Sequence, residues 1–165
     1  MGSRLKKCLR GILAATVLLC AALWLADKIW PLPLPQDDLA RVVLAEDGTP
    51  LWRFADANGV WRYPVSTDEV SPYYLDALLT YEDRWFFRHP GVNPLALGRA
   101  AWQNLSGGRV LSGGSTLSMQ VARLLDPHER TLPGKLRQLW RTAQLEWHLS
   151  KDQILNLYLN RAPFG

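Results

Sequence analysis

The stretch from Gly11 to Ala26 carries no charged side chain and follows a basic cluster, Arg4, Lys6, Lys7 and Arg10. An uncharged run of this kind leaves few folds open: it is a membrane span or a cleaved secretion signal. At about 1.5 Å of rise per residue it is slightly short for a bilayer core of about 30 Å unless flanking residues join it. A cleaved signal peptide would need a small-x-small site. None is convincing before the Pro-rich Pro31-Leu-Pro-Leu-Pro35. The expectation is therefore an uncleaved helix over residues 11–30 with a cytoplasmic basic tail, 1–10. Everything after Trp30 is then outside the cytoplasmic membrane, by the positive-inside rule.

The remainder suits one globular domain: the chain has 165 residues and 48% hydrophobic content. Eight tryptophans are a heavy load. Trp24 and Trp30 sit where a bilayer interface favours them, while Trp52 and Trp61 fit an interface or an ordinary core. The formal net charge is only +4, and no basic stripe interleaved with aromatics follows the N-terminal cluster, so nucleic-acid binding has little support. Cys8 and Cys20 both fall before or within the apolar run. The exported part is left with no disulfide framework and no cysteine metal site.

Pro31 to Asp38 reads as a stiff spacer, within a spacer segment of residues 31–40, ahead of a domain over 41–165. Arg41 to Val65 alternates apolar and polar residues and is broken by Glu46-Asp-Gly48 and Asn58-Gly59, which predicts two or three short strands. From Ser71 the pattern turns helical. Ser71-Pro72 is an N-cap with proline at the first helical position, and Ser150-Lys-Asp-Gln153 has the form of a capping box opening a last helix through Tyr158. Between them Leu136, Leu139, Trp140, Ala143 and Trp147 make one apolar face. The expected fold class is mainly α, with a small β element after the N-terminal helix.

Glu82 sits where a carboxylate should not be. It follows Leu75, Leu78 and Leu79 by seven, four and three residues, the spacing of one buried helix face, and Trp85 and Phe86 come next. Desolvation on such a face moves a carboxyl toward the range a general base needs. The alternative is a carboxylate that ends the helix and reaches water; the stripe alone does not choose between them.

Gly113-Gly-Ser-Thr116 stands directly before an apolar-periodic segment, Leu117 to Leu125. A glycine pair feeding a hydroxyl-capped helix leaves backbone N–H groups pointing outward, which favours a phosphate. Arg123, Arg130, Lys135 and Arg137 supply positive charge nearby, although a basic face is commonly just a solvated one. His89 either positions its loop through a hydrogen bond or touches a substrate, with the structural role favoured. His89, His128 and His148 lack metal-ligand spacing.

Three ordered stretches carry a resemblance: Glu82-Asp-Arg-Trp-Phe-Phe-Arg-His-Pro-Gly91, Gly113-Gly-Ser-Thr-Leu-Ser-Met-Gln120 and Ser150-Lys-Asp-Gln-Ile-Leu-Asn-Leu-Tyr-Leu-Asn160. In order and spacing they resemble the motifs of peptidoglycan glycosyltransferases, the lysozyme-like domain of the class A penicillin-binding proteins. The resemblance covers about Arg41 to Gly165. It implies that Glu82 is the general base deprotonating the 4-hydroxyl of an acceptor sugar, which attacks C1 of a lipid-linked donor as undecaprenyl pyrophosphate leaves. Asp83, Phe86 and His89 would shape the cleft. Ser115, Thr116, Gln120 and Arg123 match donor-side positions, and Lys135, Lys151 and Asn160 match later positions holding charge or the cleft wall. The implied partners are lipid II, the growing glycan strand, the bacterial inner membrane and cell-wall assembly proteins. Divalent metal such as Mg assists the pyrophosphate in some family members, but no metal ligand set is readable here.

Two departures follow. The family's second glutamate falls on Gln138, which cannot carry charge, and the arginine preceding Lys135 is replaced by Gly134. Glu146, two turns on, occupies a different place in the pattern. The chain also stops at Gly165, in the segment leading to a fifth motif. The expectation is an incomplete lobe whose apolar surface, Trp140 and Trp147 included, is left uncovered. Two other classes compete with the glycosyltransferase. One is a non-catalytic anchored module binding lipid II, glycan or wall-assembly proteins, favoured by Gln138 and the early stop and disfavoured by Glu82 and the pyrophosphate-side residues. The other is a lysozyme-like hydrolase, disfavoured because hydrolysis needs a second carboxylate.

Overall fold

A computed structural model of the chain describes residues 2–35, 40–56, 59–61, 63–107 and 113–163. Two units result, Met1–Pro33 and Leu34–Gly165. The first is a single helix, α1 (Gly2–Ile29). Flanking residues do join the uncharged run: Lys6–Ile29 forms 24 residues of mean hydropathy 2.1, long and apolar enough to cross a membrane. The Thr16 hydroxyl satisfies itself by donating to the Ile12 carbonyl at 3.0 Å, so it adds no unmet polar group to an apolar surround.

The second unit opens with an antiparallel hairpin, β1 (Arg41–Leu44) and β2 (Pro50–Phe54), in the register Val43 to Trp52 and Arg41 to Phe54. Its turn is local chemistry. Asp47 Oδ1 accepts the Thr49 N–H at 2.9 Å, and Gly48 takes a φ of +84° that a side chain would resist. The second turn signal also folds: Asp56 Oδ1 accepts Val60 N–H at 2.8 Å, with Gly59 at φ +77°. Asn58 of that signal and residues 36–39 of the spacer lie outside the described residues, and no third strand occurs among those described.

Among the described residues five α-helices follow: α2 (Pro72–Asp83), α3 (Pro94–Gly107), α4 (Leu117–Leu125), α5 (Leu132–His148) and α6 (Lys151–Arg161). Their starts are written in the sequence. Proline stands at the head of α2 after Ser71; Thr116 accepts the Met119 N–H at the head of α4; Ser150 and Gln153 form the reciprocal capping box of α6. The last helix runs three residues past Tyr158, to Arg161.

Helix α4 is the hub. Leu117, Met119, Val121 and Ala122 are fully buried, because α4 packs against both α5 and α6 and meets Leu145 and Ile154 in the core. Each large side chain removed from water there stabilises by about 2 kcal/mol.

Helix α5 buries the opposite face from the one its hydrophobicity predicts. Of the expected face Leu136 and Trp147 are more than half exposed, Ala143 is exposed and Leu139 and Trp140 are half-buried, whereas Gln138, Arg141, Thr142, Gln144 and Leu145 are buried. The polar face goes inward because partners from elsewhere, and in one case the helix's own backbone, satisfy it. Gln138 Nε2 donates to the Met119 carbonyl, Arg141 Nε to Asp126 Oδ2, and the Thr142 hydroxyl to the Gln138 carbonyl, each at 2.7 Å. Buried polar groups are tolerated on those terms alone.

The segment after the hairpin is tied to α6 by two side-chain amides. Asn160 accepts the Val65 N–H at 2.9 Å and donates to the Val65 carbonyl at 2.7 Å, and Asn156 adds a second bond to that carbonyl.

Candidate active site

Helix α2 is exposed over most of its length. Its shielded positions are Leu75, Leu78, Leu79, Glu82 and Asp83, the stripe the spacing predicts. Glu82 occupies the last turn, half-buried. Its Oε2 accepts a hydrogen bond from Gln120 Nε2 at 2.7 Å, so the amide of α4 reaches across 38 residues of sequence to aim the carboxylate. Phe86 behind it is buried at 1% exposure, while Trp85 turns outward under the Arg88 guanidinium, 4.6 Å from the ring centroid.

Asp83, the next residue, faces inward. Both its oxygens meet His89 Nε2, at 2.9 and 3.0 Å, and Oδ2 also accepts the Leu117 N–H at 3.0 Å. Two amides at the head of α4 are thereby used by the protein itself, Leu117 N–H by Asp83 and Met119 N–H by Thr116. The Thr116 hydroxyl in turn donates to the Gly91 carbonyl. The glycine-hydroxyl loop therefore works first as a joint between the Glu82 segment and α4, and positive charge for an anion comes from side chains.

Those side chains line a cleft of about 730 Å³ that includes Ser115, Gln120, Arg123, His128, Arg130 and Gln138, with Tyr158 on its wall. Lys135 Nζ donates to Gln138 Oε1 at 3.0 Å. Burial, and then the Arg123 guanidinium, hold the Lys135 ammonium below its ordinary pKa. Burial, and then the charge of Glu82, push the Tyr158 phenol up, so it stays a protonated donor facing the carboxylate. Asp126 borders the cleft in sequence but is taken, with Arg137 bonded to both its oxygens at 2.6 and 2.8 Å and Arg141 at 2.7 Å. Burial would raise its carboxyl, yet the two arginines outweigh it and hold it below the usual range.

Ser115, Gln120, Arg123 and Gln138 thus line one cleft, Gln120 links it to Glu82, and Lys135 joins through Gln138. Asp83, Phe86, His89 and Thr116 lie behind them as supports. Lys151 and Asn160 are set apart. Lys151 Nζ bonds Glu146 Oε1 at 2.8 Å and lies 4.5 Å from the Phe86 ring centroid, and the Asn160 amide is spent on Val65.

A family model described as Transglycosylase matches residues 47–165. The chain belongs to the transglycosylase family. It is 70% identical over 152 residues to penicillin-binding protein 1C of Escherichia coli, covering 92% of this chain and 20% of that protein. It is 44% identical over 105 residues to penicillin-binding protein 1B of Vibrio cholerae, covering 63% and 14%. With penicillin-binding protein 1A/1B of Bacillus subtilis it shares 38% over 112 residues, covering 67% and 12%. The chain spans a fifth or less of the length of these relatives.

Three residues of the transglycosylase cleft region are not assigned by the motif reading. Tyr158 had a visible signal, a hydroxyl on the same helical stripe as Ile154 and Leu155, the anomaly that marks Glu82. Glu146 accepts from both Lys151 Nζ and the Ser118 hydroxyl, and its side chain fills the space a Cβ on Gly91 would need. His128 lines the cleft after turning its Nδ1 to the Asp126 carbonyl at 2.7 Å. Among the described residues no three acidic, histidine or cysteine side chains gather to hold a metal ion. Asp126, the acid next to the cleft in sequence, is engaged by two arginines.

Proposed function

We propose that this transglycosylase lobe polymerises lipid II into glycan strands. The acceptor 4-hydroxyl loses its proton to Glu82 as its oxygen bonds to C1 of the donor sugar. The C1–oxygen bond to phosphate breaks, and undecaprenyl pyrophosphate leaves with the electron pair. The single observation that carries this is the 2.7 Å bond from Gln120 to Glu82 at a cleft lined by Arg123 and Arg130. A base held by a neutral donor keeps one oxygen for a substrate hydroxyl, and two guanidinium groups suit a diphosphate leaving group. The 1C, 1B and 1A/1B relatives are named as penicillin-binding proteins, which supports the same role in wall assembly.

Helix α1 anchors the lobe in the cytoplasmic membrane in this reading, with the basic N-terminus inside and the lobe outside, next to its lipid-linked donor. The growing glycan and wall-assembly proteins are its partners. Polymerisation of lipid II in detergent by the intact protein tests the proposal. Product from wild type and none from Glu82→Gln is expected. Equal product from both would remove Glu82 from the chemistry, and no product from either would leave an anchored binding module.

A further inference from the structure

Glu146 and Lys151 each stand at the wrong end of a helix. Glu146 lies in the last turn of α5, where the helix dipole disfavours an anion. Lys151 is the first residue of α6, where the dipole disfavours a cation. Both side chains are mostly shielded, at 13% and 19% exposure, and Lys151 Nζ donates to Glu146 Oε1 at 2.8 Å. The head of α6 does not need this pair, because Ser150 and Gln153 already cap it. A shielded ion pair is a poor source of net stability, and this one is set against two dipoles as well.

What the pair touches is the back of the Glu82 site. Glu146 Oε1 also accepts the Ser118 hydroxyl at 2.5 Å, and its Cγ fills the space that a Cβ on Gly91 would need. Lys151 Nζ lies 4.5 Å from the centroid of the buried Phe86 ring, within cation–π range. Phe86 and Gly91 belong to the segment that continues from Glu82, through the short turn Phe86–Arg88. Ser118 belongs to α4, two residues before Gln120. At about 3.6 residues per turn those two side chains point about 200° apart, so Ser118 faces Glu146 while Gln120 faces Glu82. The pair therefore holds, from behind, both elements that meet in the Gln120–Glu82 bond.

We infer that Glu146 is a positioning residue for Glu82: with Lys151 it forms a clamp that sets the rotation of α4 and the path of residues 84–91. The inference rests on the glycosyltransferase reading. It gives Lys151 a place behind the cleft wall instead of against a substrate. The negative charge is essential to the clamp. A neutral amide at position 146 keeps the volume and the Ser118 bond but leaves a shielded ammonium with no counter-charge, so Lys151 turns to water and releases Phe86.

The test measures lipid II polymerisation by the intact protein in detergent, with amide hydrogen exchange on the same samples. Glu146→Gln and Lys151→Met each lower kcat about tenfold and leave KM for lipid II within about twofold. Lys151→Arg, which keeps the cation, stays within about threefold of wild type. The double variant Glu146→Gln/Gln120→Met tells positioning from a merely structural role. Because Glu146 acts through the Gln120–Glu82 bond, adding Glu146→Gln to Gln120→Met costs less than about twofold in kcat; a full tenfold loss in that background would overturn the inference. Exchange of the Arg88 and Gln120 amides, bonded to the Trp85 and Thr116 carbonyls, quickens at least about fivefold in Glu146→Gln, and unchanged protection would overturn it too. If Glu146→Gln fails to fold, Lys151→Met and Lys151→Arg carry the test by the same two readings. The Glu82→Gln control separates the two proposals. Polymerisation lost in Glu82→Gln but at the wild-type rate in Glu146→Gln would sink this inference alone. Polymerisation indifferent to Glu82→Gln would sink the mechanism, and the exchange of Arg88 and Gln120 would then decide whether the clamp exists.

Discussion

Asp83 Oδ2 accepts the backbone N–H of Leu117 at 3.0 Å, so the residue next to the candidate base caps the helix that aims it. Asp83, His89 and the head of α4 form one buried unit, and Glu82 and Gln120 project from its two sides. Asp83→Ala strands His89 and an amide of α4 at once. The expected result is a thermal midpoint lowered by a destabilisation of about 2–3 kcal/mol, with lipid II affinity less affected than turnover. Calorimetric unfolding beside kcat and KM for lipid II would show it. A midpoint equal to wild type would refute the capping role.

Gln120 aims Glu82 through one hydrogen bond. Gln120→Met removes the donor and keeps the volume, so the carboxylate loses its orientation and its acceptor geometry. Turnover should fall by about 10- to 100-fold, the range of a misplaced general base. Stability should change by less than about 1 kcal/mol, since Gln120 is half-buried. Steady-state polymerisation separates these effects.

Gly91 has a φ of +79°, and a Cβ there would lie 2.7 Å from Glu146 Cγ and 2.8 Å from Thr142 Cγ2. Both strain and overlap oppose any side chain. Gly91→Ala should destabilise by about 2–3 kcal/mol and shift Thr116, whose hydroxyl donates to the Gly91 carbonyl. Chemical unfolding measures the loss, and a neutral Gly91→Ala would show that Glu146 moves aside freely.

Asp126 has a depressed carboxyl pKa, so its contribution to stability is present above the ordinary carboxylate range and is lost as pH falls through the lowered value. Asp126→Asn removes the negative charge that Arg141 Nε, on a side chain only 4% exposed, bonds at 2.7 Å. At pH 7 the cost should be about 3 kcal/mol. The wild-type and variant stability curves should converge at strongly acid pH. Parallel curves at all pH values would contradict the linkage.

Lys135 carries the opposite sign. Its folded pKa lies below the unfolded value near 10.5, so the folded chain gives up its proton first. Stability from this group therefore rises as pH rises from the folded value toward the unfolded one, and at neutral pH the buried charge is a cost. Lys135→Met should raise the thermal midpoint at pH 7 while weakening pyrophosphate binding. A lowered midpoint would show that its bond to Gln138 outweighs the burial of its charge.

The local part of this protein is legible in its sequence. Ser71-Pro72, Thr116 before Leu117 and the Ser150–Gln153 box place helix starts because capping involves only neighbours in the chain. The stripe from Leu75 to Glu82 places a carboxylate on the shielded face for the same reason. The uncharged run of α1 is legible because its helical hydrogen bonds are all local. What the tertiary structure decided is where polar groups spend their bonds. Helix α5 turns Leu136 and Trp147 outward and Gln138 and Arg141 inward, because Met119 and Asp126 wait there to receive them. Lys151 and Asn160 are withdrawn from the cleft by Glu146 and Val65, and the head of α4 is capped by Asp83 from 34 residues away. Hydrophobic periodicity ranks side chains by their cost in an apolar surround. A buried hydrogen bond cancels that cost, and whether the bond exists depends on a partner that only the folded chain brings near.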